Sequence, residues 1–392
     1  MPTLYVTEPG SRIEKEYGRL LVTCEDEVRL AVPLLHVSEV VLMSGVGVTT
    51  PALLTLLDHG VSLSLISSGG RLRGRLIAAE ARNLPLRHQQ YARSSDPTFC
   101  LEISRAIVAG KLRNCRTLAR RMIRTRADRS EPVEHGSGNA SAESPRGEQE
   151  PPPTAKSEIR DCFAHNARND ESEIHNPKSE IIHLKSEIDR ITRALAQVPT
   201  AGTLAELRGL EGSGSQAYFT ILKATLRAEL TFERRSRRPP KDPANALLSL
   251  AYTLLTNAVF TACEVAGLDA YDGFFHADKY GRPALALDLV EEFRPIVADS
   301  VVLTLVNNRM LDADDFTESA PPADGSTERG VYLSPRALRK FVAQFGRRLN
   351  TPVYHPDAGR ALSYQKVLEV QARRLRKCIE SGQPDYAPFL AK

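Results

Sequence analysis

The chain has 392 residues, 42% of them hydrophobic and 6% aromatic, with no tryptophan and a formal net charge of +4. Such a length can bury two or three separate cores, and the composition is that of an ordinary soluble globular protein with no sign of a carbohydrate or aromatic-cage site. Six cysteines without a CxxC pair exclude a zinc ribbon and a disulfide framework, and predict free thiols in a reducing cytosol. The opening MPTLYVTEPGSRIEKEYGRL lacks a basic start followed by an apolar core, and no apolar run reaches the ~20 residues that cross a bilayer. A cytoplasmic protein without a membrane partner is expected.

Residues 1–90 read as a small, mainly β domain. LYV, RLLVTC, VRLAVP, VSEVVLM and VSLSLIS are short runs bounded by Gly, Pro, Ser or charge, the pattern of strands between turns. One helix interrupts them in VTTPALLTLLDHG, with Thr50 as its cap, Pro51 in its first turn and Gly60 at its end. A polar stretch around LRHQQYARSS follows, and Asp96 with Pro97 then offers a second cap and first-turn pair.

From there the period lengthens to that of a helix. Residues 91–126 form a linker and one or two basic helices, because eight basic residues and no acidic one lie between Ser104 and Arg126. Residues 127–177, centred on EHGSGNASAESPRGEQEPPPT, are too polar to offset the entropy of ordering them and are expected to be disordered. Residues 178–392 read as a larger, all-α domain, so the fold class is α+β. The tetrapeptide KSEI recurs at Lys156, Lys178 and Lys185, with ESEI at Glu171, and the last three copies start seven residues apart. This places Ile174, Ile181, Ile188 and Leu195 at one heptad position and Leu184, Ile191 and Val198 at its partner. Pro177 breaks the run, which favours an amphipathic core helix over an intermolecular coiled coil.

Three stretches carry polar groups of chemical interest. In LRGLEGSGSQAYF, Glu211 stands among Gly209, Gly212 and Gly214 at the expected start of a helix. Glycines there permit a close backbone approach, while a first-turn glutamate facing the helix dipole is the plainer reading. In RRSRRPPKDPANALLSLAYTLL, Arg234, Arg235, Arg237, Arg238 and Lys241 make a cationic loop stiffened by Pro239 and Pro240. A solvated charge run is its alternative. The helix entered at Asp242 and Pro243 carries Asn245 and Tyr252.

In GFFHADKYGRPALALDLVEEFRP, His276 precedes a turn at Gly281 and Pro283, and a helix from Ala284 carries Asp288, Glu291 and Glu292 at i, i+3 and i+4. Acids so spaced share a face, about 5–6 Å apart between β-carbons, and repel unless a cation neutralises them. Arg294 could do so as an intrahelical partner of Glu291. Equally, a divalent ion could be held by one imidazole and two carboxylates, a set that suits Mn2+ or Mg2+. The residues alone leave both readings open.

Taken in order, the β region, LRGLEGSGSQAYF, PPKDPANALLSLAYTLL, GLDAYDGFFHADKYGRPALALDLVEEFRP and the terminal SYQKVLEVQARRLRKCIESGQPDYAPF resemble the CRISPR-associated Cas1 family of spacer-acquisition integrases. The resemblance covers nearly the whole chain apart from the insert near 127–177. It implies a metal-dependent DNA endonuclease and integrase that inserts protospacer DNA into a CRISPR array by 3′-hydroxyl attack on a phosphodiester. It implies Mg2+ or Mn2+ on Glu211, His276 and Glu291, with Asp288, Asn245 and Arg294 in supporting places and Glu292 merely solvated. It also implies a homodimer paired through the β domains and assembly with a small Cas2 partner. Phosphate contacts are then expected from Arg113, Arg116 and Arg120 and from Arg234, Arg235, Arg237, Arg238 and Lys241. Two competing readings are a non-catalytic nucleic-acid-binding scaffold and a metal-dependent nuclease with no joining step.

Overall fold

The five expected runs of the first 76 residues form strands, and three strands outside those runs complete two sheets of a mixed α+β chain. The structure, a computed structural model, describes residues 3–67, 69–78, 83–130, 177–226, 232, 234–236, 239–276, 280–319 and 329–391, and their side chains except at 127–130 and 177–179. The strands are β1 (Thr3–Val6), β2 (Arg12–Glu16), β3 (Arg19–Cys24), β4 (Glu27–Pro33), β5 (Glu39–Met43), β6 (Gly47–Val48), β7 (Ser62–Ile66) and β8 (Leu72–Leu76). One sheet has the order β4-β3-β2-β6; the other runs β1-β5-β7-β8, parallel except for β8.

Alternation along β5 and β7 divides two cores, because successive side chains point to opposite faces. Val40, Leu42 and Leu63 face the other sheet and α1 (Thr50–Asp58), whereas Val41, Met43 and Ile66 face the larger helical core. The cap of α1 is Thr49, one residue earlier than expected, and Gly60 closes the helix in a left-handed conformation (φ +64°).

One expectation for the next segment changes and another is narrowed. The polar stretch around LRHQQYARSS is a helix, α2 (Leu84–Ser94), which is anchored by buried Leu86 and by Gln90, whose amide donates to the carbonyls of Asp269 and Asp272. The basic region is a single helix, α3 (Pro97–Ser130), started as expected by Asp96, whose Oδ1 accepts from the N–H groups of Thr98 and Phe99. It runs past residue 126 into the range expected to be disordered; residues 131–176 of that range, with Ile174, lie outside the described residues.

The helical part continues with α4 (Pro177–Gln197), α5 (Leu204–Thr225), α6 (Pro243–Val265), α7 (Ala284–Phe293), a π-helical turn (Arg294–Asp299), α8 (Ser300–Asn307), α9 (Pro335–Asn350) and α10 (Tyr364–Ser381). The heptad residues Leu184, Ile191 and Val198 are buried in the core, with Ile181, Ile188 and Leu195 packed at its edge against α3 and α5. The region is not all-α. Two antiparallel ribbons, β9 (Phe316–Ser319) with β10 (Gly330–Leu333) and β11 (Pro352–His355) with β12 (Arg360–Ser363), interrupt it where β-prone GVYL and PVYH fall between helices. Helix α6 is long and apolar enough to cross a bilayer, contrary to expectation, but most of it is buried as the central core helix.

Candidate active site

Asp288 organises one wall of the site. Helix α7 is buried along all but one of its residues, and Asp288 is 0% exposed on it. An unpaired carboxylate there would be costly, so the chain segment before α7 supplies donors. Oδ2 accepts from the N–H groups of Phe274 (2.7 Å) and Phe275 (2.9 Å), and Oδ1 from that of His276 (2.9 Å). Gly273 makes this approach possible, since a β-carbon there would fall 2.8 Å from Asp288 Oδ2 and 2.7 Å from the carbonyl carbon of Ala284.

His276 Nδ1 lies 2.6 Å from Asp288 Oδ1. A carboxylate accepts only, so Nδ1 is the donor of this hydrogen bond. Nε2 points toward Glu291, 3.7 Å from Oε1.

Glu291, one turn beyond Asp288, is 3% exposed. Burial alone would raise its pKa, but the Arg294 guanidinium (2.8 Å from Oε1), the Lys111 ammonium (2.6 Å from Oε2) and His276 outweigh burial and hold it at about 2. Oε2 thus faces the Lys111 ammonium inside the protein.

The ammonium of Lys111 also pairs with Glu211 Oε1, which accepts a further 2.7 Å hydrogen bond from Ser215 Oγ. Glu211 lies in the third turn of α5 and not at its start. The helix begins earlier because Thr203 Oγ1 accepts from the N–H of Glu206 as its N-cap, and the Glu206 carboxylate accepts from the N–H of Gly202 just before the cap. Of the three neighbouring glycines only Gly214 meets a close approach: a β-carbon there would lie 2.4 Å from Leu112 Cδ2 on α3. Glu211, His276 and Glu291 are thus brought together from α5, the segment before α7, and α7. Among the described residues, no three His, Cys, Asp or Glu side chains are gathered closely enough, as they stand, to hold a metal ion.

Behind Glu291, the Arg294 guanidinium sits 5.1 Å from the ring centroid of Tyr252, and that of Arg235 sits 5.2 Å from the same ring. The hydroxyls of Tyr252 and Tyr218 donate to buried Asp299 at 2.7 and 2.8 Å. Burial raises Asp299 to about 6 despite these bonds and the nearby arginines. Asp299 ends the π-helical turn, a geometry common at functional sites.

Several expected residues take other parts. Glu292 is not solvated. It is 1% exposed and accepts from Tyr386 Oη and the Phe389 N–H, both at 2.6 Å, because the C-terminal segment covers that side of α7. Arg235 turns inward onto Asn245 Oδ1 (2.8 Å) and Ser249 Oγ (3.2 Å), which makes it a brace where a phosphate contact was expected. Asn245 is fully buried and ties Arg234, Arg235, Ser236 and Asp242 together; its path to Glu291 runs through Arg235, Tyr252 and Arg294.

Arg234 and Lys241 are exposed, and Arg237 and Arg238 lie outside the described residues. Arg113, Arg116 and Arg120 share one face of α3, where partial burial and the positive fields of Arg120 and Arg113 lower the pKa of Arg116. Five of the six cysteines are described, all buried and free. The residue that sequence reasoning missed is Lys111. Its signal was a lysine four residues from Ile107 and four from Cys115, both buried, and hence on the apolar stripe of α3.

Fold and site together define a mixed α+β chain with a carboxylate and imidazole cluster enclosed by helices. Its sequence matches the family described as CRISPR associated protein Cas1 over residues 4–144 and 154–347. A Thermus thermophilus protein named CRISPR-associated endonuclease Cas1 3 is 34% identical over 99% of this chain and 97% of its own length. The chain belongs to the Cas1 family. A Geobacter sulfurreducens Cas4/Cas1 fusion is also 34% identical over 99% of this chain, which spans 60% of that protein's length. Among solved structures, a Cas6-RT-Cas1–Cas2 complex superposes with a TM-score of 0.71 at 21% identity, over 98% of this chain and 36% of that one. A casposase bound to integration product superposes with a TM-score of 0.70 at 19% identity, over 100% of this chain and 95% of that one.

Proposed function

We propose that this chain is a divalent-metal-dependent DNA endonuclease and integrase of CRISPR adaptation. Relatives bear the name Cas1 endonuclease, and a protein of similar fold is described bound to integration product. The observation on this chain that carries the reading is the meeting of Glu211, His276 and Glu291 around the Lys111 ammonium and Arg294, with Asp288 fixing the imidazole.

These residues fit a hard divalent cation. Two carboxylates and an imidazole nitrogen are the donor set of Mn2+ or Mg2+. His276 Nδ1 is committed to a carboxylate, the arrangement that orients metal-ligating histidines. Glu291 Oε2 is buried and already meets a cation, the Lys111 ammonium at 2.6 Å. Glu211, His276 and Glu291 would hold the ion, which when bound supplies Lewis-acid polarisation of the phosphate and activation of the attacking hydroxyl.

The chain's own groups do the remaining work. Asp288 keeps the imidazole oriented, and Arg294, stacked on Tyr252, keeps Glu291 ionised and placed. Arg113, Arg116 and Arg120, with Arg234 and Lys241, hold the DNA backbone through its phosphates. In the joining step the fragment's 3′-hydroxyl forms a bond to a target-strand phosphorus and gives its proton to solvent, while the target's own 3′-oxygen leaves and takes up a proton from solvent. No protein nucleophile is needed.

A homodimer paired through the β region and a Cas2 partner belong to the same proposal. Strand β4 is exposed along nearly its whole length, with Tyr17, Val28, Leu30 and Leu35 as exposed apolar side chains nearby, and one structure of similar fold is a Cas1–Cas2 assembly. His276→Ala should abolish Mn2+-dependent nicking and fragment integration while DNA binding persists. Fragments with blocked 3′ ends should still allow nicking but not joining. One observation favours the scaffold alternative: Lys111 and Arg294 already neutralise Glu291. Absence of cleavage by the unaltered chain with any divalent ion would establish that alternative.

A further inference from the structure

Lys111 is 6% exposed, and its ammonium touches carboxylates from two different helices, Glu211 of α5 and Glu291 of α7. Burying a lysine is costly unless its charge is met, and here both partners are residues proposed above as metal ligands. Two carboxylates close enough to share one ammonium would otherwise repel across a poorly solvated gap. Among the described residues, Arg294 is ion-paired with Glu291 Oε1 and not with Glu211.

Resting on the metal reading above, we infer that Lys111 is an internal stand-in cation: its ammonium fills the gap between Glu211 and Glu291, and a divalent ion enters only as the lysine side chain leaves. This accounts for the finding that no three ligand side chains among the described residues are gathered for a metal as they stand. It also fits the choice of lysine. A point charge on a flexible four-carbon stem can be displaced, whereas a guanidinium locked in a planar fork would hold its carboxylates. The lysine keeps α3, α5 and α7 in register while the site lacks metal, and it lowers the apparent metal affinity by the fraction of molecules in which it still fills the gap. Lys111 is a positioning residue in this account.

The test is Mn2+ binding by the full chain, read from the paramagnetic resonance of free Mn2+ and from thermal melting with and without the ion. K111M should melt below wild type without metal, yet bind Mn2+ about tenfold more tightly, since no ammonium competes. A purely structural lysine would move both readings the same way. K111R, whose charge cannot vacate the gap, should bind about tenfold more weakly than wild type; this comparison decides the matter if K111M does not fold. Equal or weaker binding by folded K111M, or unchanged binding by K111R, overturns the inference. E211Q separates the two levels. If wild type binds Mn2+ and E211Q does not, the metal reading stands whatever Lys111 does; if wild type binds none, both fall.

Discussion

Asp288 receives four hydrogen bonds from one short segment: three backbone N–H groups, from Phe274, Phe275 and His276, and Nδ1 of His276 at 2.6 Å. One carboxylate therefore sets both the path of the chain and the orientation of the histidine. Asp288→Asn keeps the shape but turns an amide NH2 toward donors. It is expected to cost about 1–3 kcal/mol of stability and to lower metal-dependent cleavage by roughly 10- to 100-fold. Chemical denaturation and a nicking assay measure the two effects, and full activity in the variant would remove Asp288 from the site.

Glu292 ties the C-terminal segment to the core through Tyr386 and Phe389, and Asn114 adds bonds to the carbonyls of Glu292 and Phe389. Glu292→Ala leaves a buried tyrosine hydroxyl and a backbone N–H without their acceptor. A loss of about 1–3 kcal/mol follows for each orphaned group. Hydrogen exchange at residues 385–391 should quicken before the rest of the chain responds, and unchanged protection there would contradict the anchoring role.

Glu39 on β5 is buried against α6, where it accepts from Asn257 Nδ2 and from Thr261 Oγ1. Burial raises its pKa from 4.5 to about 7, against the lowering effects of Arg75 and of the hydrogen bonds from Thr261, Asn257 and Ser64. The folded state therefore holds a proton that the unfolded state has released between pH 4.5 and 7, so stability falls as pH rises through that window. The loss is complete above it and is at most on the order of 3 kcal/mol. Glu39→Gln removes the titration. Its stability relative to wild type should improve between pH 5 and pH 8, and parallel pH profiles of the two proteins would show that Glu39 titrates normally.

The apolar strands of the first 76 residues and the α3 cap were legible because each depends on local spacing, whereas β9 to β12 lie in a stretch that reads as helical. Glu211 and Glu291 could be picked out, but not what lies between them, because Lys111 reaches them from a helix 100 residues away from Glu211 in sequence. Glu292 was misread for a similar reason. Spacing on α7 shows which acids share a face, yet only tertiary packing tells that the opposite side is also buried, beneath the C-terminal segment. The helix α2 escaped notice because its burial rests on Leu86 and on Gln90, whose partners at 269 and 272 are far along the chain. Arg235 reads as one more loop cation until its contacts with Asn245 and Tyr252 are seen.

Arg113, Arg116 and Arg120 recur at i, i+3 and i+7 on α3, and none has an ion-pair partner among the described residues. Partial burial first, and then the like charges of Arg120 and Arg113, depress Arg116, so the face favours the approach of anions. If it carries DNA, each arginine that meets a phosphate releases counterions, and the slope of log affinity against log salt should flatten by about 0.9 per residue, or ~3 for the triple alanine variant. Arg235→Ala serves as the contrast. Because Arg235 is spent on Asn245 and Ser249, its loss should lower the melting temperature and leave the slope nearly unchanged. Fluorescence anisotropy of a labelled duplex at several salt concentrations measures both; coincident slopes for wild type and the triple variant would show that this face of α3 is merely solvated.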